Sequence, residues 1–162
     1  MSGSTNKKVL VTRFDRESVA GYVNPQSFLQ AEGVEVLTTA GSVARLPYTD
    51  VKAVCFVKDF AGPEAGPERR VFATRPKSEG LWVRMKFRDG EEMDGLLANN
   101  LLHLERHGFM VTPPDASSRN QRLFVPRAAL LEFLVLGVVG SPLRRLARRK
   151  PAPQEGQIKL FE

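Results

Sequence analysis

An alternation that occurs twice constrains this chain more than any other feature. The stretches VLVTRFDRESVAGYV (Val9–Val23) and LWVRMKFRDGEEMDGLL (Leu81–Leu97) each step between apolar and polar residues into a Phe (Phe14, Phe87). Each then passes a charged turn and resumes alternation through a Gly (Gly21, Gly95). A period of two places successive side chains on opposite faces of a strand, and Asp89-Gly90 marks a hairpin because these residues accept the backbone angles that reverse a chain tightly. The first copy is read with one residue fewer at its turn. The ends of the two stretches match without a gap: LPYTDVKAVCFV (Leu46–Val57) lies over VPRAALLEFLVL (Val125–Leu136), with Pro47 on Pro126, Val51 on Leu130, Val54 on Phe133 and Phe56 on Val135.

Between start and end, each unit carries a further strand pattern, GVEVLTT (Gly33–Thr39) and GFMVTPP (Gly108–Pro114). The reading is therefore mainly β, with about five short strands per unit, a size at which closing a bent sheet on itself hides the edges. This predicts a disordered N-terminus over 1–7, a first β-barrel unit over 8–60, a linker over 61–80 and a second barrel unit over 81–140. A short basic helix over 141–150 and a flexible tail over 151–162 follow. The stretch Lys58–Gly80 is rich in Gly, Pro and charge, as a connector is, with room for a short edge strand near Val71–Ala73. The competing arrangement is a single mixed sheet in which the repeat is coincidental.

The opening of each unit, and VRMKFRDGEEMDGLL above all, resembles a small barrel of the Sm-like kind. Over roughly residues 8–136 the chain also resembles an uncharacterised bacterial domain family, found mainly in acidobacteria and deltaproteobacteria and sometimes beside receiver and PilZ modules. The residues that carry the likeness are LPYTDVKAVCFVKDFAG (Leu46–Gly62), VRMKFRDGEEMDGLL (Val83–Leu97) and PPDASSRNQRLFVPRAAL (Pro113–Leu130). The family's proline–x–Asp–x–x–Ser–Asn–Asn–x–Arg turn is matched at Pro113, Asp115, Ser118, Asn120 and Arg122, with Arg119 in place of the first Asn. The resemblance implies the tandem layout and a setting near signalling proteins. It implies no catalytic residue.

Charge is unevenly placed. Residues 142–162 hold six Lys and Arg against two Glu, while the rest of the chain is nearly balanced. A broad nucleic-acid-binding face on the body is therefore not expected. The chain has a single cysteine, Cys55, set in an apolar run, which predicts a buried, inert thiol and a reducing, cytoplasmic setting. The longest apolar stretch, FLVLGVVG, is too short to span a bilayer, and no membrane partner is expected.

Little in the sequence suggests catalysis. His103 and His107 stand four apart with Glu105 between them, but no third ligand at metal-site spacing accompanies them. Glu91 and Glu92 fall on a hairpin turn, where water screens them. The expectation is no enzyme, no cofactor and no metal. Asp115, Ser118, Asn120 and Arg122 are read as a turn pinned by side-chain-to-backbone bonds, with Arg119, Arg122 and Arg127 able to meet an anionic partner.

The C-terminus gives the sharpest functional expectation. Ser141-Pro142 suits a helix start, and LRRLARR spaces Leu143, Leu146 and Ala147 on one apolar stripe. Arg144, Arg145, Arg148, Arg149 and Lys150 could contact nucleic-acid phosphates weakly and without sequence preference. The last residues, Gln157-Ile158-Lys159-Leu160-Phe161-Glu162, resemble the short peptide by which bacterial replication and repair proteins bind the DNA sliding clamp. The resemblance implies hydrogen bonds from Gln157, an apolar pocket for Leu160 and Phe161, and an aliphatic second position at Ile158. Lys159 departs from the small or acidic residue usual there. The same residues could instead fold back onto the barrels, add a strand to an edge, or meet another partner. The chain is thus expected to be an adaptor whose tail recruits a partner, the sliding clamp first. The alternatives are a signalling adaptor for a receiver domain or small GTPase, and an Sm-like RNA-binding module.

Overall fold

The computed structural model describes residues 6–15, 17–58, 60, 72, 75–76, 78–114 and 120–140, apart from the side chains of Asn120 and Gln121. The expected helix over 141–150, the tail over 151–162, Val71 and Ala73 of the edge strand expected near Val71–Ala73, and Asp115, Ser118 and Arg119 lie outside them, and Phe72 is described but belongs to no strand.

The described residues form ten strands. The first five are β1 (Lys7–Arg13), β2 (Ser18–Val23), β3 (Val34–Thr38), β4 (Val43–Leu46) and β5 (Val51–Val57). The next five are β6 (Gly80–Phe87), β7 (Glu92–Leu97), β8 (Gly108–Thr112), β9 (Asn120–Pro126) and β10 (Leu130–Val139). They make one antiparallel sheet in the order β10-β6-β7-β8-β9-β5-β1-β2-β3-β4.

The two halves have the same internal order, last strand, then first to fourth, and the same register. Val9 lies opposite Gly21 as Val83 lies opposite Gly95, and Val54 opposite Val11 as Phe133 opposite Met85. Val36 faces Ala44 as Val111 faces Leu123. The pairing corrects one detail of the sequence alignment. The opening hairpins have equal length: the amide of Arg13 donates to the carbonyl of Glu17, and that of Phe87 to Glu91. Phe14 therefore corresponds to Arg88, not Phe87. The side chain at the head of the turn differs between the copies, and the backbone bond, not the aromatic ring, fixes the turn.

The expected pair of separately closed barrels is not what the strands form. The outer edge of β5 is taken by β9, so β5 cannot also close on β4, and the ladder runs on as one open sheet. Its hydrophobic core is nonetheless double. One cluster gathers Val9, Val11, Val23, Phe28, Val34, Val36, Val51 and Val54 with Phe124. The other gathers Val83, Met85, Phe87, Met93, Leu97, Val111, Leu123 and Val125 with Ala53, Cys55 and Val57. Because a strand alternates its side chains between faces, the cores lie on opposite faces of the shared strands. Val54 of β5 faces the first core, while Ala53 and Cys55 face the second.

Side chains tie the halves across this seam. Lys52 on β5 pairs with Asp89 at 2.7 Å and with Glu91, both at the β6–β7 turn. Arg88 from that turn donates to the carbonyl of Thr49 and lies 4.2 Å over the ring of Phe14. Tyr48 stacks on His107 at 4.7 Å, and Phe28 meets Phe124 edge to face at 5.9 Å.

Candidate functional site

Three places on the described surface depart from an ordinary solvated face. The first is a groove along the seam, with a volume of about 320 Å³. Its floor is Phe28, Phe56, Val57 and Met110; Lys7, Lys8 and Arg122 line its rim, with Glu105 facing them. The strands explain the mixture. Lys7 and Lys8 open β1 at the margin of the sheet, and Arg122 lies opposite Phe56 on β9. Alternation turns Leu123 and Val125 inward and leaves Arg122 exposed.

The second place adjoins it. Between β7 and β8 the chain makes a one-turn 3-10 segment, Leu101–His103, capped by the Asn100 side chain accepting from the amide of Leu102 at 3.0 Å. Leu101 is 81% and Leu102 90% exposed, and Leu104 is also exposed. Leu102, His103 and Leu104 form the wall of a depression that shares Glu105, Met110 and Arg122 with the seam groove. A loop that aims leucines at water beside a cationic apolar groove leaves apolar area that is buried only when something covers it.

The third place is the outer edge of β10. Leu131, Leu134, Val135, Leu136 and Val138 are all 40–62% exposed along one ten-residue strand. Among the described residues no strand pairs with that edge.

Among the described residues one charged side chain is fully buried, and sequence reasoning did not single it out. Asp94 on β7 lies directly opposite Arg84 on β6. Its carboxylate accepts from Arg84 Nε at 2.7 Å and Nη2 at 3.1 Å, from Trp82 Nε1 at 3.2 Å and from the amide of Phe72 at 3.4 Å. The bonds from Arg84 to Asp94, and the Asp94 charge, hold the Arg84 guanidinium above its ordinary pKa. Four donors leave this carboxylate no free role: it pins Phe72 to the outer face of the β6–β7 hairpin. The available signal was the hairpin register, which sets an Arg across from an Asp.

The other sequence candidates fall apart in space. His103 lies in the exposed 3-10 turn, whereas His107 is half-buried against Tyr48. Among the described residues no three His, Cys, Asp or Glu side chains converge on a point that would hold a metal. Cys55 is buried, and burial pushes its thiol up to about 11, the Thr12 hydrogen bond opposing that only in part. Asn120 begins β9. Arg127, grouped in the sequence with Arg122, instead lies 5.0 Å over the Phe109 ring. Gln157, Ile158, Leu160 and Phe161, like Arg144, Arg145, Arg148, Arg149 and Lys150, lie outside the described residues.

The fold and these surfaces define a class: a mainly-β protein built from a repeated five-stranded pattern, with exposed apolar surface at its seam and edge. The chain belongs to a family of unknown function (DUF6982), whose pattern it matches over residues 5–137, both repeats together. No curated protein and no solved structure matches it. No helix among the described residues is long and apolar enough to cross a membrane.

Proposed function

We propose that this protein is a non-enzymatic adaptor. Each repeat acts as an Sm-like barrel unit, curled around its own core although its edge strand is shared. The body holds one protein partner at the seam groove, and the C-terminal peptide Gln157–Phe161 recruits a second, the DNA sliding clamp. The observation that carries the adaptor reading is the pair of exposed leucines, Leu101 and Leu102, standing beside a groove with an apolar floor and a rim of Lys7, Lys8 and Arg122. That surface offers burial and charge to a partner and presents no paired acid and base. Leu160 and Phe161 supply the second contact, at roughly 1.5–3 kcal/mol for each buried side chain less the cost of ordering.

The test is binding of a labelled peptide spanning Lys150–Glu162 to purified bacterial sliding clamp. Saturable binding is expected, lost when Leu160 and Phe161 are both changed to Ala. Equal binding by the altered peptide, or none by either, removes the clamp from the reading.

The cationic rim favours one second reading, an Sm-like module that holds RNA in the seam groove, a base lying on Phe56 and phosphates meeting Lys8 and Arg122. It predicts that the full chain shifts single-stranded RNA at low salt and that Lys8→Ala with Arg122→Ala abolishes the shift. A shift that survives this pair but disappears when Arg144, Arg145, Arg148 and Arg149 become Ala assigns the contact to the basic C-terminal segment.

A further inference from the structure

We infer that β10 is the interface through which two copies of this chain form a closed, two-fold dimer, edge strand against edge strand. The protein contains its own template for the contact. By register, β10 occupies in the second repeat the place that β5 occupies in the first. On β5, Cys55 is 3% exposed and Val57 8%, because β9 covers the outer edge. The counterpart of Cys55 on β10, Leu134, is larger and is 50% exposed, and Leu136 beyond it, at the bulge between Val135 and Gly137, is 40% exposed. The position is thus built for covering, with a larger apolar side chain than the covered copy carries, and an edge that no described strand pairs is a template for strand addition.

Two observations point to a second β10 as the occupant. The first concerns the alternative, a head-to-tail contact with β4, the strand at the other end of the described sheet, which is the counterpart of β9. At the places where β8 and β9 give Met110 and Phe124 to the seam, β3 and β4 carry Glu35 and Arg45, paired with each other at 3.3 Å. Burying that pair at an interface would desolvate two charges to cover leucines. β4 is also only four residues long. The second observation is that β10 is self-complementary. Over ten residues it carries a single charge, Glu132, so no strongly charged partner is selected. Two antiparallel copies centred near Val135 set Glu132 opposite the partner's Val138, so the two carboxylates do not meet. The β5–β9 junction shows that this sheet continues across such an edge, with one register shift between Phe56 and Val57. Arg75 donates to the carbonyl of Val138 at 2.8 Å and marks the end of the available edge.

This inference does not rest on the clamp reading. The full chain is examined by sedimentation velocity from about 1 µM to about 100 µM. The expected species has twice the 18.0 kDa mass of the chain and does not grow further with concentration. Leu134→Lys and, separately, Val135→Lys place like charges at the interface, and each is expected to raise the dissociation constant at least about tenfold while the far-ultraviolet circular dichroism stays unchanged. Leu102→Lys, on the exposed loop, leaves the dimer intact. A monomer throughout the range overturns the inference, as does a dimer indifferent to both lysines. So does a monomer that dimerises only when Leu160 and Phe161 are changed to Asp, because the chain's own tail then occupies the edge. An open-ended series of larger species assigns the contact to β4 and overturns the closed dimer.

Discussion

At the scale of single residues, burial and pairing decide what each group can do. Cys55 has its thiol pushed up to about 11 and almost no exposure, so it is a packing residue. It is expected to resist a disulfide-exchange reagent in the folded protein and to react fully in denaturant; rapid labelling of the native chain would contradict this. Asp94 and Arg84 make an asymmetric pair, 0% and 38% exposed at their side chains. Arg84→Ala strands a carboxylate in the interior and is expected to cost about 3 kcal/mol in urea unfolding. Asp94→Asn leaves a neutral amide that still accepts from Trp82, and lets Arg84 turn to water, so about 1–2 kcal/mol is expected. The reverse order would show that Asp94 is not held as the geometry describes.

At the scale of elements, the repeat shows itself in places where the backbone leaves no room. Gly33 and Gly108 stand before β3 and in β8, and a methyl group on either would strike the carbonyl oxygen of Leu46 or Val125 in the neighbouring strand. The two sites are equivalent, so Gly33→Ala and Gly108→Ala are expected to destabilise by similar amounts, about 2 kcal/mol or more. Gly41→Ala meets open space but sits at φ +91°, so its cost is strain alone, about 1 kcal/mol. A Gly33→Ala protein as stable as the parent would mean that β3 and β4 separate easily. The tie between β5 and the β6–β7 turn adds a pH dependence. Burial opposes ionisation of Asp89, but the Lys52 hydrogen bond, the backbone amides of Glu91 and Asp89 and the Lys52 charge together outweigh it, so Asp89 titrates below its ordinary 3.8. A carboxyl depressed in the folded state stabilises above the unfolded value and loses that contribution as pH falls through the folded one. The stability difference between the parent and Asp89→Asn is therefore expected to be constant near neutrality and to shrink as pH drops below 3.8.

At the scale of the whole molecule, one sheet carries two cores on opposite faces and ends in two unlike edges. The β4 edge is short and charged; the β10 edge is long and apolar. If two chains join through β10, each assembly presents two C-terminal peptides, and a weak contact becomes a stronger one through effective concentration. The full chain is then expected to hold immobilised sliding clamp at least about tenfold more tightly than the isolated peptide, a gain lost in Leu134→Lys. Equal affinities of chain and peptide would show that the body contributes nothing to recruitment.

What the sequence determined by itself was whatever depends on local pattern. Alternation marked the strands, Asp89-Gly90 suits a turn, and the gap-free match of Leu46–Val57 to Val125–Leu136 follows from the shared pairing of Val51–Phe56 and Leu130–Val135. The burial of Cys55 was legible from its apolar run. The Phe14–Phe87 match misled because a repeated aromatic is a weaker constraint than a repeated backbone bond. The arrangement of the strands depended on a contact distant in sequence. Whether β5 closes on β4 or joins β9 is a competition between two partners for one edge, and either choice satisfies the same alternation. That choice joined two prospective barrels into one sheet, placed Ala53 and Cys55 in the second core, and brought Phe28, Phe56 and Met110 under Lys7, Lys8 and Arg122. It also left the outer edge of β10 without a partner strand among the described residues. A strand's faces are written in its own residues; its neighbours are decided only when distant strands compete for its edges.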